Sequence, residues 1–114
     1  MEKKTLTPDN MENEKAFSRN FGWAIERLKD GHMLRRAGWN GKGMFIVKQI
    51  PATIGLDIIP KMQSLPQAAK DGMLKREQSI QYTNQLLIVR ADGQADSWTA
   101  SATDIFAEDW EIAV

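Results

Sequence analysis

Leu86-Leu87-Ile88-Val89-Arg90, followed at once by Ala91-Asp92-Gly93, is the stretch on which the fold turns. A near-continuous aliphatic and β-branched run predicts a central strand buried on both faces. Asp92-Gly93 directly after it is a hairpin turn leading toward Trp98. Working outward, Gly43 to Ile50 alternates as a second strand, His32 to Arg36 forms a short one, and Trp110-Glu111-Ile112-Ala113-Val114 alternates as the last. Upstream of these, Phe21, Ala24, Ile25 and Leu28 fall at helical spacing, with Ser18 or Asn20 placed to cap the start and Gly31 the end. Trp23 and Arg27 lie off that apolar stripe, which leaves Trp23 as a candidate assembly contact. The class is α+β: a small antiparallel sheet packed by one principal helix, with a helical insertion between strands.

The insertion covers residues 52–81. Within it Ser64-Leu65-Pro66-Gln67 has the form of a capping box with proline in the first turn, predicting a helix from Leu65 to Arg76. Met62, Leu65, Ala69, Met73 and Leu74 are its expected buried side, and Gly72 weakens it by ~1 kcal/mol. A segment of this length in a small domain usually serves a pocket lid or a subunit contact. Residues 1–17 are polar and charged and read as a flexible arm, either a mobile tail or a segment that orders only on assembly. Residues 18–114 then form a single α+β ligand-binding domain.

Composition narrows the function classes. The chain has 114 residues, enough for about one domain, and 15 Lys+Arg stand against 15 Asp+Glu for zero net charge. That balance argues against a dedicated DNA or RNA binder, whose affinity comes largely from neutralising phosphates. There is no cysteine for a disulfide, thiol nucleophile or thiolate-held metal, and one histidine, His32, is too few for a zinc site. No apolar run approaches the ~20 residues of a membrane span, and the start lacks a signal-peptide core, so a soluble, cytoplasmic protein is expected.

Two constellations carry chemistry. Arg35-Arg36-Ala37-Gly38-Trp39-Asn40-Gly41-Lys42-Gly43-Met44-Phe45 brings together cations, aromatic rings, an amide and glycines. Glycine lets backbone N–H groups come close to a ligand, arginine forks onto phosphate, and indole offers a flat face to a base. That set suits an anionic ligand bearing an aromatic ring, such as a nucleotide. The same residues also make an ordinary strand–turn–strand corner in which Trp39 belongs to the core. The second constellation is Trp98-Thr99-Ala100-Ser101-Ala102-Thr103-Asp104 through Trp110. On an extended chain the hydroxyls of Thr99, Ser101 and Thr103 point to one side and, with Asp104, suit ribose hydroxyls and base edges. Ser101 or Thr103 followed by Asp104 and Glu108 is equally an ordinary start to a short helix. Catalysis has little support, because no nucleophile elbow, phosphate loop or dinucleotide fingerprint is present, and the acids read as caps and surface charges.

These blocks resemble the second Thoeris anti-defence family, small phage and prophage proteins. Its members run F-G-x-A, then R-x-G-W-N-G-K-G-M, then W-x-x-S-x-x-D-x-x-A-x-D-W, which Phe21 to Ala24, Arg36 to Met44 and Trp98 to Trp110 follow. Ile59-Pro60-Lys61-Met62, Leu65-Pro66 and Tyr82-x-Asn84-Gln85 are similar to its longer branch. The resemblance implies a sponge that binds a cyclic ADP-ribose isomer in the infected host's cytoplasm without cleaving it, so that the immune effector stays silent. It also implies a homotetramer with pockets at subunit boundaries and, in some members, a separate cyclic dinucleotide site. No cofactor, metal or catalytic residue is expected. The ligand-binding candidates are Arg36, Gly38, Trp39, Asn40, Lys42, Phe45, Asn84, Trp98, Thr99, Ser101, Thr103 and Asp104. Trp39 or Phe45 stacks on adenine, Arg36 or Lys42 meets the pyrophosphate, and Asn40, Thr103 and Asp104 take ribose and base edges. The rival readings are a nucleotide-degrading enzyme and a protein-interaction module without a small ligand.

Overall fold

A computed structural model of the chain describes residues 19–113. Its first helix, α1 (Phe21–Lys29), begins where the Asn20 side chain accepts the Trp23 N–H at 2.9 Å, satisfying one of the donors a helix start leaves free. It ends in a Schellman turn. Gly31 N–H donates to Leu28 O and His32 N–H to Arg27 O, with Gly31 at φ +96°, a conformation costly for any residue with a Cβ. Ser18, the other proposed cap, and the arm over 1–17 lie outside the described residues.

The strands that follow are β1 (Leu34–Arg36), β2 (Phe45–Lys48), β3 (Ala52–Ile54), β4 (Ile80–Tyr82), β5 (Leu86–Val89), β6 (Ala95–Ser97) and β7 (Trp110–Ile112). Helix α2 (Gln67–Lys75) and a single 3₁₀ turn at Ile59–Lys61 lie between β3 and β4, and the short α3 (Ala102–Ile105) precedes β7. By contact the chain separates into two compact units: the described residues to Lys48 together with those from Gln85, and Gln49–Asn84.

The first unit is a five-stranded antiparallel sheet in the order β6-β5-β2-β1-β7. One cross-strand row sets Ile112, Leu34, Ile46 and Ile88 side by side. Leu34, Ile46 and Ile88 pack with Ala24 and Leu28 of α1 and with Trp110 into the buried core. The helix thus buries the face that its 3.6-residue stripe predicts. The Asp92-Gly93 turn is also present: Gly93 sits at φ +90°, and Arg90 N–H donates to Gln94 O at 2.9 Å.

In the first unit three expectations need correction. β5 is an interior strand, but only Ile88 is buried, while Leu86, Leu87 and Val89 are half-buried. The core cluster draws on one face of the sheet, so the aliphatic run reflects an interior ladder position rather than two covered faces. β1 starts at Leu34, not His32, because the His32 N–H closes the helix terminus. β2 starts at Phe45 because Gly43, at φ +78°, turns the chain.

The second unit contains the β3–β4 ladder, with Thr53 opposite Gln81, and the 3₁₀ turn whose Ile59 is fully buried. α2 forms within the expected bounds, yet the proposed capping box does not. Pro66, at ψ 151°, is the N-cap without a side-chain bond, and Gln67 Nε2 instead donates to Asp71 Oδ1 one turn on. The expected buried side of α2 (Met62, Leu65, Ala69, Met73 and Leu74) is half-buried throughout.

Candidate functional site: a clamped glycine-rich loop beside a small cavity

The loop from Ala37 to Met44 leaves β1 and returns as β2. It is fastened at its start by Ala37 N–H to Asp109 O (2.9 Å) and Trp39 N–H to Arg36 O (3.2 Å), and at its end by Met44 N–H to Gly41 O (3.3 Å). Gly38 N–H donates to Asp109 Oδ2 at 2.8 Å, and a Cβ at this position would stand 2.9 Å from the same oxygen. Glycine is therefore favoured at 38, where a Cβ would displace the Asp109 carboxylate, and at 43, where φ is +78°.

Arg36 ties this loop to the C-terminal segment. Its Nε donates to Asp109 Oδ1 at 2.8 Å and its Nη1 to Asp104 Oδ1 at 3.0 Å, with the Arg36 and Asp104 side chains only 17% and 13% exposed. Asp104 Oδ1 also accepts the Trp39 indole N–H at 3.3 Å, and Oδ2 accepts the Ser101 hydroxyl and backbone N–H. Ser101 Oγ in turn accepts the Asp104 N–H, which completes a capping box at the start of α3. The electrostatics follow from this wiring. Partial burial pushes the Asp104 carboxyl up, but hydrogen bonds from Arg36, Ser101 and Trp39 outweigh it and hold its pKa below the usual carboxylate value. Asp109 behaves likewise: burial raises it, and Arg36 and the Gly38 N–H bring it down. The bonds to Asp109 and then Asp104 raise Arg36.

Above the clamp stands a triad of indoles. Trp39, Trp98 and Trp110 meet edge to face, with ring centroids 5.5 to 6.2 Å apart. Trp110 is fully buried and donates its indole N–H to Asp104 O at 3.1 Å. The half-buried Trp39 and Trp98 pack against the core, as the corner reading of Trp39 expects, and Trp39 also lines a cavity. Trp23 lies apart, beneath the guanidinium groups of Arg19 (5.1 Å) and Arg27 (5.8 Å).

A cavity of about 370 Å³ opens beside the loop, lined by Arg35, Arg36, Ala37, Trp39, Gly41, Lys42, Gly43, Met44 and Glu111. That is at the small end for a ligand site. Of the residues singled out in the sequence, Arg36, Trp39 and Lys42 line it, and Gly38 shapes its loop without lining it. Asn40 is exposed on the same loop. Phe45 does not line the cavity; it stands opposite Val89 on the sheet face away from Ile46. Trp98 does not line the cavity; its ring meets that of Trp39, which does. Thr99, Ser101 and Thr103 do not form an extended row of hydroxyls: Ser101 caps α3, Thr103 lies within it, and all three are exposed. The helix-start reading of this stretch is the correct one, because Asp104 is placed to close the capping box. Asn84, exposed, belongs to the second unit.

Sequence reasoning missed Glu111 and Asp109 and gave Arg35 no role. Glu111 Oε2 accepts Arg35 Nε at 2.7 Å across the β1–β7 ladder, where the two residues stand directly opposite. Only the pairing of the first strand with the last brings them together, and no local pattern signals that pairing. Among the described residues no group of three or more His, Cys, Asp or Glu side chains is placed to hold a metal ion.

The sequence profile of the Thoeris anti-defense 2-like domain matches residues 19–113, the whole described chain. The chain belongs to the Thoeris anti-defense 2-like family. It is similar to the protein named Thoeris anti-defense 2 from Bacillus phage SP01, 32% identical over 93 residues that span 82% of this chain and 92% of that protein. The matched region includes both constellations, the glycine-rich loop and the Asp104–Asp109 segment that clamps it.

Proposed function

We propose that this protein is a phage anti-defence sponge that binds a cyclic ADP-ribose-type signalling nucleotide and holds it without cleaving it, thereby blocking Thoeris immunity. The observation that carries this reading is the cavity beside residues 37–44, where a glycine-rich loop sets an indole and a lysine against one small volume. Trp39 stacks on the adenine, a contact worth ~1–3 kcal/mol. Lys42 meets the pyrophosphate, since it makes no ion pair among the described residues while Arg36 is held by two carboxylates. Asn40 lies close by in sequence for ribose or base edges.

Non-cleavage is supported by the state of the carboxylates. Asp104 and Asp109 are tied to Arg36 and do not line the cavity, and Glu111, which does, is bonded to Arg35, so each of these acids is committed as an ion-pair partner. No helix among the described residues is long and apolar enough to cross a membrane, in keeping with action in the host cytoplasm. The reading extends to a homotetramer, because one small cavity is too little surface for the roughly 12 kcal/mol that nanomolar capture requires, and to a separate cyclic dinucleotide site as in the family resemblance. The test is to incubate the purified protein overnight with cyclic ADP-ribose isomers, release bound material by heat and identify it by mass spectrometry. Intact ligand supports the sponge; a linearised product absent from a protein-free control overturns it.

A further inference from the structure

We infer that Glu111 decides which nucleotides the cavity accepts, admitting those whose phosphates are all bridged and rejecting those with a free terminal phosphate; this rests on the nucleotide-binding reading above. The cavity wall is the β1–β7 ladder, and its lining pairs Arg35 with Glu111 at 2.7 Å, the two side chains 36% and 33% exposed. Both therefore face solvent and ligand while holding each other. The charged residues that line the cavity are Arg35, Arg36, Lys42 and Glu111; Glu111 is bonded to Arg35, and Asp104 and Asp109, outside the lining, are bonded to Arg36. Arg35 and Arg36 are thus each offset by the carboxylates that hold them, and Lys42 is left as the lining cation with no ion pair among the described residues, so the attraction of the site for anions is limited.

What Glu111 can do for a ligand is limited by its chemistry. An ionised carboxylate only accepts hydrogen bonds. A ribose hydroxyl or exocyclic amine placed there gains a bond, and the Arg35 amino groups not bonded to Glu111 remain available for a phosphate oxygen. A phosphate within a diester or pyrophosphate bridge carries one negative charge, whereas a terminal phosphate brings about two near neutrality. The second is repelled by Glu111 without any gain in hydrogen bonding. Discrimination of this kind comes from an unfavourable contact with the wrong ligand as much as from a good one with the right ligand. Its use to a scavenger is plain: abundant nucleoside di- and triphosphates would otherwise occupy the site.

The experiment measures the affinities of the full chain for cyclic ADP-ribose isomers and for ADP by titration calorimetry, in wild type and Glu111→Gln. The expected result is that E111Q binds ADP at least tenfold more tightly with no gain for the cyclic isomers, so that the preference for the cyclic ligand over ADP shrinks at least tenfold. The difference between ligands is the discriminating sign: freeing Arg35 from its ion pair would raise the affinity for ADP and the cyclic isomers together, and a damaged site would lower both. If E111Q does not fold, Glu111→Thr, a strong strand former on this edge strand, carries the same comparison. Wild type that binds the cyclic ligand, with an unchanged preference in the variants, overturns the inference alone. Wild type that binds no cyclic nucleotide overturns the function reading and this inference with it.

Discussion

Arg36 holds two carboxylates in a setting that is mostly out of water, and the consequences of disturbing it can be assigned a size. Arg36→Ala leaves Asp104 without its charged partner and Asp109 with only the Gly38 N–H, so unfolding in urea should show a loss of about 2–3 kcal/mol. A loss under about 0.5 kcal/mol in that titration would mean the pair is no better than a surface ion pair. The pH dependence has a definite sign. Both carboxylates have folded-state pKa values below their unfolded ones, so their contribution is fully present above the ordinary carboxylate value of ~3.9 and is lost as pH falls through the folded values. Thermal midpoints should therefore drop steeply on acidification in that range, and Asp104→Asn should flatten the drop. An equally steep acid limb in D104N would assign the effect to other groups. Trp39 serves the core and the cavity at once, which calls for two variants. Trp39→Phe retains a ring for packing and should stay folded at a cost of about 1 kcal/mol for the lost bond to Asp104. Trp39→Ala should lower nucleotide affinity at least tenfold by calorimetry, a figure that counts only where circular dichroism shows the fold intact.

At the scale of elements, the two ends of α1 separate local from tertiary effects. Asn20→Ala removes the N-cap bond and should cost about 1 kcal/mol. Gly31→Ala should cost a similar amount through backbone strain alone, since a Cβ there meets nothing within 4 Å at φ +96°. Neither variant should alter nucleotide affinity. Gly38→Ala differs in kind, because its Cβ collides with the Asp109 carboxylate that fastens the loop. It should weaken binding at least tenfold with a smaller effect on the thermal midpoint than Arg36→Ala; unchanged affinity would show that the loop tolerates a looser clamp. These elements also show what was legible in the chain. α1 and the Asp92-Gly93 turn were readable because caps, stripe and turn residues are local and agree with one another. Ser64 misled because proline at 66 is itself held extended at the helix start, and the alternation from Thr99 to Thr103 misled because Asp104 closes a capping box three residues after Ser101.

For the whole molecule, the second unit leaves and re-enters the first at adjacent points of one ladder, since Lys48 stands opposite Leu86. Replacing Gln49–Gln85 by Asn-Gly should therefore close β2 and β5 as a two-residue hairpin and preserve the first unit. The near-UV circular dichroism of the coupled Trp39, Trp98 and Trp110 rings reports on it directly. Loss of that signal would show that the second unit is needed for the fold. A retained fold with lost affinity would give the second unit, Asn84 included, a part in binding. The proposed assembly is checked by light scattering on the intact protein, where the mass of a single chain at micromolar concentration would remove the tetramer from the reading.

By itself the sequence determined the α+β class, a helix through Phe21 to Leu28, and strands within 32–36, 43–50, 86–90 and 110–114 whose exact starts the structure moved, and it pointed to the block from 35 to 45. These rest on periodicity, capping and turn chemistry, which act over a few residues. Only the tertiary structure decided what the loop's charges do. Arg36 reads in sequence as a cation available to phosphate, yet Asp104 and Asp109, nearly seventy residues away or more, occupy it. Arg35 and Glu111 become one ion pair on a cavity wall because the first strand pairs with the last. Such partnerships depend on strand order and register, which are settled by burying one row of aliphatic side chains under α1, and no local pattern in the chain records them.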